Sequence, residues 1–238
     1  HIDAVFFAST TAPFADRQNA GVIAAALSLP ETIAAMDVGG SQRAATSALI
    51  AALNAVKAGS SKHAVVLASE KRKAKAASSQ ELSFGDGAAA LEIGSENVIA
   101  RLLGHAALTV DFVDHFRSEG EDYDYNWEER WIRDEGYSKI VPRAVKAALG
   151  DAGVEPSAID HFVMPCPFAK LDQAIAKQCG IAPEKVRDSL AANVGDTGAA
   201  HPIVMLVHAL EQARPGEKIL IAAFGQGCDA LVFEATEA

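Results

Sequence analysis

Phe84-Gly85-Asp86-Gly87 and Phe224-Gly225-Gln226-Gly227 are one turn written twice. Matching signposts surround the two copies in the same order. Ile2-Asp3 ahead of the apolar run Ala4-Val5-Phe6-Phe7 returns as Ile159-Asp160 ahead of Phe162-Val163-Met164, 157 residues later. Pro30-Glu31 returns as Pro183-Glu184, and Ala52-Leu53…Gly59 as Ala209-Leu210…Gly216, the latter again at an offset of 157. An internal repeat of this kind means a duplicated βα unit. A fold built from two similar halves places its chemistry where the halves meet.

Each half reads alike. Residues 2–9 form a near-continuous apolar run, as expected of a strand covered on both faces. Residues 16–29 follow with helical spacing, and a second apolar piece, 33–38, leads into Gly39-Gly40-Ser41. The Ala-rich stretch 43–58 is apolar nearly all round and reads as a buried helix, stopped at Gly59. A strand at 64–69 follows. In the second half the strand is 162–164, the outer helix 171–179, the turn 195–198 and the buried helix 200–213, before a strand at 219–224. These segments predict α/β architecture with five layers, αβαβα, the two Ala-rich helices lying between two sheets. The halves span residues 1–104 and 138–238.

Residues 105–137 differ in kind. The stretch 111–135 is rich in acids and aromatics, with Tyr123, Tyr125, Trp127 and Trp131 close together. Two readings stand: a surface insertion packing its rings on the body, or a cap over a ligand tunnel or partner contact.

The chain has 238 residues, a net charge of −10, 50% hydrophobic and 22% charged residues. That balance suits a globular protein and argues against nucleic-acid binding. The one basic cluster, Lys71-Arg72-Lys73-Ala74-Lys75, reads as a solvated loop or as a rim for a phosphorylated ligand. No apolar stretch nears the roughly 20 residues of a membrane-spanning helix, and no secretion signal is visible. The three cysteines, Cys166, Cys179 and Cys228, lack CxxC spacing. They predict a reducing cytoplasm, no disulfide framework and no metal site.

Three stretches carry a family resemblance: Ala8-Ser9-Thr10-Thr11-Ala12-Pro13-Phe14, Phe84-Gly85-Asp86-Gly87-Ala88-Ala89-Ala90, and Val194-Gly195-Asp196-Thr197-Gly198-Ala199-Ala200. Together they resemble the thiolase superfamily, on the branch of 3-hydroxy-3-methylglutaryl-CoA synthase and ketoacyl-ACP synthase III. The likeness covers nearly the whole chain apart from 111–135. It implies a thiolase-like five-layer αβαβα fold with pseudo-twofold duplicated halves. It also implies a further strand and helix ahead of Ile2; with these absent, the chain reads as a fragment or an unusual form.

The resemblance implies a chemistry too. A cysteine thiolate at the N-terminus of the first buried helix, ionised by the helix dipole, takes an acyl group from CoA or acyl carrier protein. A histidine and an asparagine then hold the oxyanion and assist carbanion formation. Laid on that pattern, Gln42 stands where the cysteine belongs, Pro165 where the histidine belongs, Asp196 where the asparagine belongs, and Thr10 where the synthase branch keeps a glutamate. All four positions are replaced. An amide forms no thioester, and a carboxylate repels a developing oxyanion. Ser41 and His201 are weak substitute candidates; no nearby histidine offers to deprotonate Ser41, and His201 reads first as a packing residue. Cys166, between two prolines, reads as a buried small residue. A Cys-to-Gln exchange also marks decarboxylating ketosynthases within the superfamily, but those keep the histidines. Arg43 and Gly198 are the candidate CoA or acyl contacts.

The expectation is therefore a thiolase-fold subunit, not itself catalytic, of an acyl-CoA C-acyltransferase complex that makes or breaks carbon–carbon bonds. The alternatives are an active acyl-CoA condensing enzyme with atypical residues, or a CoA-binding protein without turnover. No covalent cofactor is expected, and a CoA thioester is the expected ligand. The resemblance implies a homo- or hetero-oligomer with a catalytic thiolase-type subunit, and a zinc-ribbon/OB-fold protein as a further partner. Nucleic acid and membrane are not expected partners.

Overall fold

The computed structural model describes residues 1–238. In the first half, β1 (Ala4–Ala8), α1 (Asn19–Ala26), β2 (Ala34–Val38), α2 (Ala44–Lys57), β3 (Ala64–Glu70), the single turn α3 (Gln80–Ser83) and β4 (Gly87–Ile93) follow one another. Then come β5 (Ala100–Thr109), the short strands β6 (His115–Phe116) and β7 (Tyr125–Asn126), α4 (Glu129–Trp131), a π-helical stretch at Ile132–Tyr137, and α5 (Ser138–Ala152). The second half continues with β8 (His161–Val163), α6 (Leu171–Gln178), α7 (Ala191–Val194), α8 (His201–Gln212), β9 (Lys218–Phe224) and β10 (Gly227–Ala235).

Two four-stranded sheets result, ordered β2-β1-β3-β4 and β5-β10-β9-β8. β1 pairs in parallel with β2 and β3, and β4 closes that sheet antiparallel to β3. In the other sheet β8 runs parallel to β9, while β10 is antiparallel to both β9 and β5. The repeat is real in three dimensions: β3-turn-β4 matches β9-turn-β10, and α2 matches α8. The partner that β2 would have in the second half is reduced to a single parallel bridge, Phe162 to Val186.

Side-chain periodicity explains the layers. Every residue of β1 is buried, and β3 alternates buried and half-buried. Phe6, Val66 and Ala68 therefore face inward, while Val5 and Phe7 face α1 on the outside. α2 presents Ala44, Ala45, Ala48, Leu49 and Ala52, and α8 presents Ile203, Leu206 and Ala209, to one core shared by both sheets. Alanines let the two helices and the sheets approach closely. A second core lies under α5 and α6 on the far face of the β8–β9–β10 sheet. The order is α1, sheet, α2 with α8, sheet, α5 with α6: five layers, as the repeat predicts.

Two boundaries move. β5 runs across position 104 and pairs along its whole length with β10, so it belongs to the second half's sheet. Residues 105–109 are thus strand and not part of the acidic segment. The helix expected at 139–149 extends to Ser138–Ala152. The aromatics of the segment both pack and show. Trp131 stacks on Phe112 at 5.8 Å, and Phe112 and Tyr137 meet Phe224 of the body at 5.9 and 4.2 Å. Tyr123, Tyr125, Trp127 and Trp131 stay about half exposed.

Candidate active site

The two FGxG turns are exchanged between halves. Phe84-Gly85 lies against the second half's turn: Gly85 N–H donates to the Asp196 carbonyl at 3.0 Å, and Asp196 N–H donates to the Ser83 carbonyl at 2.7 Å. A Cβ on Gly85 would sit 1.8 Å from the Val194 carbonyl oxygen, so only glycine fits. Symmetrically, Phe224-Gly225 lies against the start of α2. The Ser41 hydroxyl donates to the Gly225 carbonyl at 2.7 Å, and a Cβ on Gly225 would meet Arg43 N at 2.9 Å. Each half thereby fixes the N-terminus of the other half's buried helix. Both helix starts face one point, at the carboxyl ends of the parallel strands, where open α/β folds bind ligands.

Gln42 is at that point. Its side-chain oxygen would be 3.0 Å from a Cβ on Gly198, which also approaches Arg72 Cδ at 3.1 Å and Glu70 Cγ at 3.3 Å. Gly198 has a positive φ of 56°, and even a Cβ there would press on all three side chains, so the position calls for glycine. Asp196 does not carry a free charge into the centre. One of its oxygens accepts from Gly198 N–H at 2.9 Å, and the other pairs with Arg72 at 2.8 Å.

The segment following β5 completes the centre. His115, at the start of β6, has Nε2 at 3.2 Å from Gln42 Nε2 and Nδ1 at 3.0 Å from Asp114. The β6–β7 pairing, His115 opposite Asn126, and the bond from Trp127 N–H to the Asp114 carbonyl at 2.8 Å hold this pair in place. Burial lowers the His115 pKa; the hydrogen bond and charge of Asp114, aided by Asp124 and opposed by Arg72, raise it, and the net shift is upward. Asp124 joins Arg72 at 3.1 Å and Arg117 at 2.6 Å, and Arg117 donates to the Thr10 carbonyl. The Arg72 guanidinium also lies 3.4 Å over the Phe84 ring.

Thr10 contributes only backbone atoms. Its N–H donates to Glu70, whose other oxygen accepts from the Thr11 hydroxyl at 2.6 Å. Glu70 is buried at the end of β3. A carboxylate thus does occupy the neighbourhood of Thr10, brought by a different strand.

The remaining residues singled out in the sequence are committed elsewhere. Arg43 is tied to the fully buried Asp229 at 2.7 Å, to the Gly225 carbonyl at 3.0 Å and to Thr109 at 3.0 Å, so its donors point into the body and not toward a ligand. His201 is buried; Nδ1 accepts from Thr197 N–H at 3.0 Å and Nε2 meets the Ser189 carbonyl at 2.7 Å, so both ring nitrogens are engaged in packing bonds and neither is free to act as a base. Ser41 uses its hydroxyl as a turn bond. Pro165 follows β8 and brings no polar side chain. Arg72 departs from the solvated-loop and phosphate-rim readings of the basic cluster, being almost wholly buried, while Lys73 pairs on the surface with Asp122 at 2.5 Å. No group of three or more His, Cys, Asp or Glu side chains stands where it could hold a metal ion. No helix is long and apolar enough to cross a membrane.

Burial pushes the Cys166 thiol up to about 12 and the Cys179 thiol to about 11, and raises Cys228 as well. Thiolates are the reactive form. Iodoacetamide at pH 8 should therefore label Cys166 about a thousandfold more slowly than a free thiol of pKa about 8.5. Peptide mass spectrometry checks this, and rapid labelling of Cys166 would make it a candidate nucleophile.

Sequence reasoning missed Glu70, Asp114, His115, Arg117 and Asp124. Only Glu70 had a local signal: it continues the inward phase of Ala64, Val66 and Ala68 in β3.

A duplicated αβαβα body with two helix starts facing one polar centre is the architecture of the thiolase superfamily. Residues 149–234 match the family model for the C-terminal part of 3-oxoacyl-[acyl-carrier-protein (ACP)] synthase III. The chain is 27% identical over 239 residues to a hydroxymethylglutaryl-CoA synthase of Methanopyrus kandleri, covering 99% of this chain and 68% of that protein. It is 30% identical over 228 residues to the one of Aeropyrum pernix, covering 95% and 63%. The chain thus spans about two thirds of the length of these relatives. A 3-oxoacyl-(acyl carrier protein) synthase III of Pseudomonas aeruginosa superposes with a TM-score of 0.88 at 22% identity, over 100% of this chain and 77% of that one. In sequence and in fold alike, the chain resembles the thiolase superfamily, on the 3-hydroxy-3-methylglutaryl-CoA synthase and ketoacyl-ACP synthase III-like branch. Alignments over 99% of the chain include 111–135, which corrects the expectation that this stretch lies outside the likeness.

Proposed function

We propose that this protein acts on an acyl-CoA thioester in carbon–carbon bond chemistry of the condensing-enzyme class, holding the thioester without a covalent acyl-enzyme. The observation that carries this reading is the content of the centre. Where a thiol would stand, Gln42 offers an amide at the N-terminus of α2, within a buried setting of Glu70, Asp114–His115 and the Arg72–Asp196 pair. An amide N–H at a helix N-terminus suits a thioester carbonyl oxygen, and both dipoles stabilise negative charge developing there. The names of the hydroxymethylglutaryl-CoA synthase relatives support a CoA thioester as the ligand class.

Calorimetric titration of the full chain with acetyl-CoA and with CoA, followed by radiolabelled acetyl-CoA and denaturation, tests the reading. Binding at micromolar concentrations with no label retained on the denatured protein is the expected result. A stable acyl-protein overturns the non-covalent part, and no heat at high micromolar ligand overturns the ligand class.

A second reading is a non-catalytic subunit that completes the tunnel of a catalytic thiolase-type partner, in a homo- or hetero-oligomer that includes a zinc-ribbon/OB-fold protein. The mutual saturation of Arg72, Asp196, Asp124 and Arg117 favours it, since ion pairs closed on one another leave fewer groups for substrate. Binding without turnover alone, and turnover on adding an intact cysteine-bearing partner, is what that reading requires.

A further inference from the structure

From the geometry of β6 we infer that Asp114 and His115 form the proton-abstracting pair of this centre, His115 Nε2 taking the proton from the carbon next to the thioester carbonyl. The inference rests on the acyl-CoA reading above and deepens it. Neither the motifs nor the comparisons assign these two residues.

The placement is the first support. Asp114 holds Nδ1–H at 3.0 Å, so in the neutral ring Nε2 carries the lone pair, directed at the Gln42 amide at 3.2 Å, which must swing aside for the ring to take a proton. A carboxylate on the far nitrogen fixes the tautomer and orientation that a base needs. Both side chains are mostly buried, at 20% and 12% exposure, yet Asp196 beside them is 37% exposed, so the centre reaches solvent.

The second support is that two buried acceptors here lack any donor: Gln42 Oε1 and Asp114 Oδ1. Leaving such atoms unpaired is costly, so each is available to a donor brought by a ligand. Gln42 Oε1 faces Gly198, 3.0 Å from where a Cβ would stand. The amide also suits both charge states of the ring. Its N–H donates to neutral Nε2; after half a turn its oxygen accepts from Nε2–H of the imidazolium. The proton acceptor thus keeps a partner before and after the transfer.

The step balances within the site. The C–H bond at the α-carbon breaks, its proton bonds to Nε2, and its electron pair forms the carbon–carbon double bond of the enolate while the carbonyl pair moves onto oxygen. The imidazolium is offset by Asp114, and the enolate oxygen faces the α2 N-terminus. Return of a proton from Nε2 to carbon reverses the step.

Enolisation alone can be read without knowing the acyl acceptor. The full chain is incubated with acetyl-CoA in D2O, and loss of the methyl proton signal is followed by NMR. The wild type should exchange at least tenfold faster than buffer, and H115Q should fall to the buffer rate while still binding acetyl-CoA by calorimetry. Asp114 acts through His115 and is a positioning residue. D114N should slow exchange at least tenfold and also move its pH profile. The rate rises as the ring deprotonates. Asp114 and Asp124 face the ring and raise its pKa while Arg72 lowers it, so removing the Asp114 charge shifts the rising limb to lower pH. Wild-type exchange rates in H115Q, or acetyl-CoA binding with no exchange in the wild type, overturn the inference and leave the acyl-CoA reading standing. No binding of acetyl-CoA overturns both.

Discussion

Replacing Asp229 with alanine should lower the thermal midpoint by on the order of 6–20 °C, the largest stability loss expected of any polar substitution in this chain. Asp229 is completely buried on β10, and its oxygens take Arg43 at 2.7 Å, Ser47 at 2.7 Å and Thr46 at 3.0 Å. Removing the carboxylate strands a guanidinium that is only 14% exposed, and breaking a buried pair from one side costs about 3–5 kcal/mol. The pair also locks α2 to the second half, because Arg43 holds the Gly225 carbonyl as well. D229A should therefore weaken acetyl-CoA binding along with stability. In the double variant R43M/D229L no charge is left unpaired, and most of the lost stability should return; a double-mutant cycle measures the coupling. A midpoint within 2 °C of wild type for D229A would contradict the assignment.

The architecture was legible because it is a matter of local pattern repeated. Apolar runs at 4–8 and 219–224 and the alanine-rich 44–57 read correctly from periodicity alone, and the recurrent FGxG turn tied the halves together. The shared point of the two helix starts was legible for the same reason. The contents of that point were not. His115 lies 73 residues from Gln42 in sequence and sits on a two-residue strand, too short to show alternation. Arg72 lies in a lysine-rich run that has surface composition, yet its partners Asp124 and Asp196 come from two later segments. A charge run is a solvated face on average, and one member can still turn inward when two carboxylates await it. The four substituted family positions made the site look emptied. The structure instead brings a carboxylate on Glu70 and an imidazole on His115 to the same neighbourhood from other elements.

Replacing Arg72 with methionine should cost about 2–4 kcal/mol and loosen residues 111–128 more than the rest of the chain. One guanidinium joins three parts of the fold: Asp196 of the second half's turn at 2.8 Å, Asp124 of the β6–β7 loop at 3.1 Å, and the Phe84 ring at 3.4 Å. The figure lies below that of a fully buried pair for two reasons. Asp196 is 37% exposed, so water screens its charge, and Asp124 keeps Arg117. Stacking over Phe84 adds to the loss, since a desolvated cation on a ring contributes on the order of 1–2 kcal/mol. Amide hydrogen exchange should show faster exchange at Trp127, whose N–H is held by the Asp114 carbonyl, while the β3–β4 ladder keeps its protection. R72K restores a charge but not the fork that spans two carboxylates, so it should recover only part of the loss. R72M/D196N should also recover part, by removing the carboxylate left without its partner. Unchanged exchange at Trp127 in R72M would mean that the aromatic contacts through Phe112 and Tyr137, and not the guanidinium, seat the segment on the centre.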